Sequence, residues 1–166
     1  MEFANRAIRV APRRRFKTVV TSSAGYPLHK TYYQTLKGMV TLMDILEPGG
    51  ALIVASECSE GFGSKELRAA QRRLIELGPD KFRATLTAKS MADVDEWQTA
   101  MQLKSMRAGR ISLCTSSLSD EERTLTGAEM IADLDEAIVR SIARAEDRCV
   151  AVIPEGPYVV PYYDAG

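Results

Sequence analysis

The chain has 166 residues, 45% of them hydrophobic and 27% charged, with 22 basic and 22 acidic side chains. That is enough sequence for one ordinary domain with a core of its own, and the composition is that of neither a disordered chain nor a membrane protein. A net charge of zero removes the electrostatic case for nucleic acid, so neither nucleic acid nor a membrane is expected as a partner.

Residues 1–15 carry the basic run Arg13-Arg14-Arg15 and no apolar core of a signal peptide, so they are read as a solvated leading segment. A domain over 16–157 and a surface tail over 158–166 complete the division. The β-branched run FKTVVT at 16–21 predicts a strand, and Ser22-Ser23-Ala24-Gly25 a tight turn after it. Apolar residues at Tyr33, Leu36, Val40, Met43 and Leu46 recur at three- and four-residue steps, which predicts an amphipathic helix over 32–46. Glu47-Pro48-Gly49-Gly50 would then stop that helix.

ALIVA at 51–55 is a continuous apolar run of the kind found in a parallel strand covered on both faces. A helix over 64–77 is expected to start at a serine cap and stop at Gly78-Pro79. Residues 80–107 read as helical in two pieces. Strands are expected at 110–115 and 149–153, with a long helix over 126–146 between them. Four strands alternating with helices imply an α/β fold: a three-layer α/β/α sandwich on a mainly parallel sheet, Rossmann-like in layout. In such sheets the ligand groove lies beyond the carboxyl ends of the strands, and segments 22–27, 57–63, 115–117 and 154–157 are expected to converge there.

The glycines at Gly25, Gly61 and Gly63 sit in strand-to-helix turns, where backbone amides can hold an anion or where glycine merely permits the turn. Neither turn matches the dinucleotide fingerprint GxGxxG or the phosphate loop GxxxxGK[ST], which disfavours a free-standing Rossmann-type transferase. Gln34 and Lys37 are three apart and share a helix face; together they supply a directional amide donor and a charge suited to a carboxylate. Exposed Gln and Lys at this spacing are otherwise solvated surface. His29 is the only histidine, so two imidazoles cannot be brought together as metal ligands or as an acid/base pair. Cys58, Cys114 and Cys149 form no CxxC pair and read as reduced cytoplasmic thiols. Glu57 lies on the second loop with Cys58 and Glu60. Trp97, the one tryptophan, is either core or a flat wall at a ligand site.

Taken together, VVTSSAGYPLHKTYYQTLKGM, EPGGALIVASECSEGFGS, EWQ and IPEGPYVVP resemble the carboxyl-terminal domain of the nickel-pincer lactate racemase family, in its order and with compatible spacing from about Phe16 to Pro161. That resemblance implies a two-domain enzyme with its site in the cleft between the domains. It assigns the pincer-bearing lysine, the nickel-ligating histidine and the two catalytic histidines to an amino-terminal domain. By the same resemblance Gln34 and Lys37 are directed at the substrate, Tyr33 precedes them at the same site, and Trp97 matches an active-site tryptophan. Gly25, His29, Glu57, Gly61 and Gly63, on or beside the segments at the strand ends, are expected to line the groove. No cofactor is expected on these residues, and a nickel-pincer nucleotide is implied for the full-length protein. The implied partners are the cofactor-bearing domain and a small 2-hydroxy acid, and this chain alone is expected to be inactive. The family often has aspartate where His29 stands, which leaves the identity of the hydroxy acid open. The competing reading is a non-catalytic small-anion-binding or assembly domain of the same fold.

Overall fold

Residues 9–163 are described by the computed structural model, and their strands and helices alternate as the apolar pattern requires. Strand β1 (Arg9–Val10) is followed by β2 (Phe16–Ser22), α1 (Tyr32–Thr41) and β3 (Leu46–Ala55). Helices α2 (Lys65–Leu77), α3 (Pro79–Thr87) and α4 (Glu96–Ala108) lead to β4 (Gly109–Cys114). Then come α5 (Asp120–Leu125), β5 (Glu129–Ile131), α6 (Leu134–Ala145), β6 (Val150–Ile153) and β7 (Val160–Pro161). Five strands form one sheet in the order β5-β4-β3-β2-β6, every neighbouring pair parallel. The fold class is the expected α/β, with one strand more than the four read from sequence. No helix among the described residues is long and apolar enough to cross a membrane.

Because side chains alternate along a strand, register decides what each face carries. Val19, Leu52, Val54, Ile111, Leu113 and Ala151 face one side, where they join Tyr32, Leu36 and Met39 of α1 and Leu67 of α2 in the main core. Val20, Ile53 and Ile131 face the other side and meet only α6, through Ala137 and the partly buried Leu134 and Ile138. The first connections run from β2 outward to β5, and the last steps back past β2 to β6. Right-handed crossovers therefore place α1 and α4 on one face and α6 on the other. A satellite cluster of Leu74, Phe82 and Leu103 ties α2, α3 and α4 together.

Several boundaries differ from the sequence reading. The first helix ends at Thr41, not at residue 46, because Leu42, Ile45 and Leu46 are buried by a turn that drops into the core; that turn mimics helical spacing. Leu46 already pairs with Phe16, and Glu47-Pro48-Gly49-Gly50 lies within β3, where the register with β2 shifts and Gly49 takes φ 80°. The helix expected over 126–146 begins at Leu134, where Asp133 accepts from the Glu136 N–H at 2.9 Å. Met130 belongs instead to β5, a three-residue strand too short to show a period of two. The outer strands run Gly109–Cys114 and Val150–Ile153, and Ser64 caps α2 by accepting from the Leu67 N–H at 3.0 Å. The two helical pieces of 80–107 are α3 and α4, separated around Asp95, which sits at φ 59°. The leading segment and the tail are tied to each other, since β1 pairs with β7.

The strand order changes direction between β2 and β6, the place where open α/β sheets commonly leave a crevice. Here the chain fills it. Ser23 bridges Glu155, the Ser22 hydroxyl donates to the Pro154 carbonyl, and the Thr41 hydroxyl donates to the Gly156 carbonyl at 2.9 Å. Gly156 is packed so closely that a Cβ there would collide with the Thr21 hydroxyl. Segment 154–157, expected to border the groove, thus closes the crevice against α1.

Candidate functional site

Thr31 caps α1, its carbonyl and hydroxyl both accepting from the Gln34 N–H, at 3.1 and 3.4 Å. With Tyr32, Thr35, Leu36 and Met39 committed to the core, the opposite face of the helix presents Tyr33, Gln34 and Lys37. The Lys37 ammonium lies 5.1 Å from the centroid of the Tyr33 ring, and Trp97 meets that ring edge-on at 6.3 Å and 88°. Lys37 is exposed and forms no ion pair among the described residues. The Gln34 side-chain oxygen is buried and has no hydrogen-bond partner among the described residues. Partial burial, together with the neighbouring Asp95 carboxylate, pushes the Tyr33 phenol's pKa up, so its O–H stays available as a donor at neutral pH.

Two anchors present this surface. The backbone carbonyls of Gly61 and Phe62 accept from the N–H groups of Tyr32 and Tyr33 at 3.0 and 3.1 Å, and a Cβ on Gly63 would lie 3.0 Å from Tyr33 Cβ. The Gln98 amide donates to the Tyr33 carbonyl at 3.2 Å, joining α4 to α1. At the start of α4 the buried Glu96 carboxylate accepts from Lys89 and Arg73, both at 2.8 Å, and from the Asp93 N–H at 3.0 Å. Next to it, Trp97 is 50% exposed: it is a wall beside Tyr33, not a core residue.

The remaining sequence-predicted residues lie elsewhere. A cleft of about 760 Å³ opens over the carboxyl ends of β2, β3, β4 and β5, and Gly25, His29 and Glu57 line it. His29 Nε2 stands 2.7 Å from Glu57 Oε2. Tyr33, Gln34, Lys37, Trp97, Gly61 and Gly63 are not part of its lining. The single groove expected from sequence is therefore two places flanking one rim: the Ser56–Glu57 half of the second loop turns into the cleft, and the Gly61–Gly63 half backs α1. Sequence reasoning placed Ser23 at the groove only as part of segment 22–27, and it missed Arg123 and the β5 residues Met130 and Ile131 as lining groups. Only the assignment of β5 as a strand would have brought the last two to this end of the sheet.

Among the described residues no three His, Cys, Asp or Glu side chains gather where a metal ion could be held. The donors of the described residues therefore do not fit nickel.

Residues 12–160 match the family of lactate racemase C-terminal domains. The chain belongs to that family. A lactate racemase of Thermoanaerobacterium thermosaccharolyticum is 29% identical over 157 residues, covering 86% of this chain, and one of Lactiplantibacillus plantarum is 24% identical over 145 residues, covering 85%. The chain spans about a third of the length of these relatives, 34% of each. The structure of the lactate racemase apoprotein from T. thermosaccharolyticum superposes with a TM-score of 0.84 at 24% identity, over 96% of this chain and 38% of that one. A protein from Thermotoga maritima follows at 0.62 and 13% identity, over 98% of this chain and 40% of its own. At these identities the structural matches speak to the fold, and they agree with the α/β sandwich of this lactate racemase C-terminal domain.

Proposed function

We propose that this domain closes over the substrate of a racemase or epimerase of 2-hydroxy acids, with the surface formed by Tyr33, Gln34, Lys37 and Trp97 gripping the carboxylate. The observation that carries the reading is the Lys37 ammonium, exposed, unpaired with any carboxylate of the described residues, and held over Tyr33 beside Trp97. The ring that carries Lys37 is itself held edge-on against Trp97, so the ammonium stands on a fixed aromatic surface. A carboxylate placed there would take charge from Lys37, a directional bond from the Gln34 amide and a further bond from the Tyr33 O–H. Trp97 would screen that contact from water, which strengthens it. The hydride and proton chemistry belongs, in this reading, to a nickel-pincer nucleotide and histidines on an amino-terminal domain of the full-length enzyme.

In the full-length enzyme Lys37→Ala is expected to lower kcat/KM for a 2-hydroxy acid roughly 30-fold, about 2 kcal/mol of lost charge-assisted binding, with most of the effect in KM. Gln34→Ala should cost less, since a neutral amide forms the weaker bond. Kinetics indifferent to Lys37→Ala would return Lys37 and Gln34 to solvated surface, and a full-length protein without turnover would favour the alternative, a non-catalytic anion-binding or assembly domain.

A further inference from the structure

The cleft over the strand ends has no part in the function just proposed. Its floor runs across four parallel strands in the spatial order Ser22, Ala55, Cys114, Ile131, a length of about 14 Å at the usual strand spacing. A lactate-sized acid would fill a small fraction of its 760 Å³, which lies in the range that encloses drug- or nucleotide-sized ligands. Ser23 lines it, is 1% exposed, and its hydroxyl has no hydrogen-bond partner among the described residues. A buried hydroxyl left unpaired is costly, and such groups mark places where a partner is missing.

The charges in the cleft are not balanced. Of its acidic and basic lining groups, Glu57 is already held by His29 at 2.7 Å, whereas Arg123 has only the fully exposed Asp120 near it, at 3.8 Å. Arg123 is positioned through Nε, which donates to the Leu118 carbonyl at 2.9 Å and leaves the far end of the guanidinium free of tight pairing. Ala55, Cys114, Met130 and Ile131 give the cleft an apolar part beside these polar groups.

We propose that this cleft is a second binding site, for an elongated organic anion with an apolar body. The anionic group meets Arg123, the body lies along Ala55, Cys114 and Ile131, and an acceptor atom of the ligand takes the Ser23 O–H. A mononucleotide and an acyl carboxylate share this chemistry, and separate titrations distinguish them.

The test is amide chemical-shift mapping on the isotopically labelled chain, titrated in one arm with adenosine 5′-monophosphate and in the other with octanoate. One of the two is expected to shift the amides of Ser23, Glu57, Ser116 and Ala132 saturably while leaving Tyr33, Lys37 and Trp97 in place. Ser23→Ala should weaken that binding about tenfold, the value of one buried hydrogen bond, and Arg123→Gln about tenfold or more; thermal melting of each variant establishes that it is folded. The proposal fails if neither probe moves the cleft amides at millimolar concentration. It fails equally if the shifts fall on Lys37 and Trp97 instead, or if both folded variants bind as the wild type does. Loss of cleft binding would leave the Lys37 reading untouched, because that reading is judged by turnover.

Discussion

Phe62→Ala is expected to destabilise the domain by about 4 kcal/mol, in the range for removing a buried aromatic ring. The ring is 0% exposed, lies 4.7 Å from the Tyr32 ring and has the Arg68 guanidinium 5.4 Å above it. It therefore fills the space between the second loop and the base of α1. Its backbone bonds survive the substitution, the N–H to Glu122 at 3.2 Å and the carbonyl to the Tyr33 N–H, so the loss is that of the ring alone. Urea unfolding should show the midpoint falling with the slope unchanged. Phe62→Leu, which keeps most of the volume, should cost under about 1.5 kcal/mol. A loss below about 1 kcal/mol for alanine would mean that the loop merely covers the core.

Glu96→Ala is expected to cost about 3 kcal/mol, the lower end for breaking a buried ion pair, because only one side of the cluster is buried. The Glu96 side chain is 1% exposed, while Lys89 and Arg73 keep 29% and 33% and can turn to water once it is gone. Burial by itself would raise this carboxyl's pKa, but the bonds from Lys89, the Asp93 N–H and Arg73 together outweigh burial and hold it below its ordinary value. A group depressed in the folded state contributes stability that is present above its unfolded pKa and lost as pH falls through the folded one. Wild-type stability should accordingly decline below about pH 4.5, the carboxyl's ordinary value, and part of that decline should vanish in Glu96→Gln. Equal acid sensitivity in the two proteins would show that Glu96 is not the group responsible. Since Trp97 is the next residue, the same substitution should also loosen its contact with Tyr33, visible as a shift in tryptophan emission.

The strands that form the sheet's centre were legible because they are buried on both faces: FKTVV and ALIVA can be little else than parallel strands. Helix α2 was legible through its serine cap and its glycine stop. Helix α4 was legible only as one of the two helical pieces of 80–107, without its start or its buried face, since it turns Gln98, Thr99, Gln102 and Ser105 inward and Trp97 outward, the reverse of the polarity on which periodicity relies. Gln102 is satisfied inside by bonds with Gln71 and the Thr126 carbonyl, at 2.6 and 2.5 Å, a network that no local pattern announces. The pairing of Tyr33 with Lys37 follows from helical spacing and could be read directly. That Trp97 joins them depends on tertiary packing, and the family resemblance was its only signal. Ser23 looked like one more turn residue, and only its burial without a partner sets it apart.

The unequal cover of the sheet sets the order in which this domain opens. One face is sealed by helices that bury five residues from α1 and four from α2, the other by α6 alone, with Ala137 its single buried residue and Val152 of β6 left 61% exposed. Undocking α6 uncovers little apolar surface, and β6 is then an edge strand held by one neighbour. Amide hydrogens of α6 and β6 should therefore exchange with solvent through a low-energy local opening, while those of β2 and β3 wait for global unfolding. The domain thus has a slow half and a fast half divided by its own sheet, and the surface built on α1 stands on the slow one.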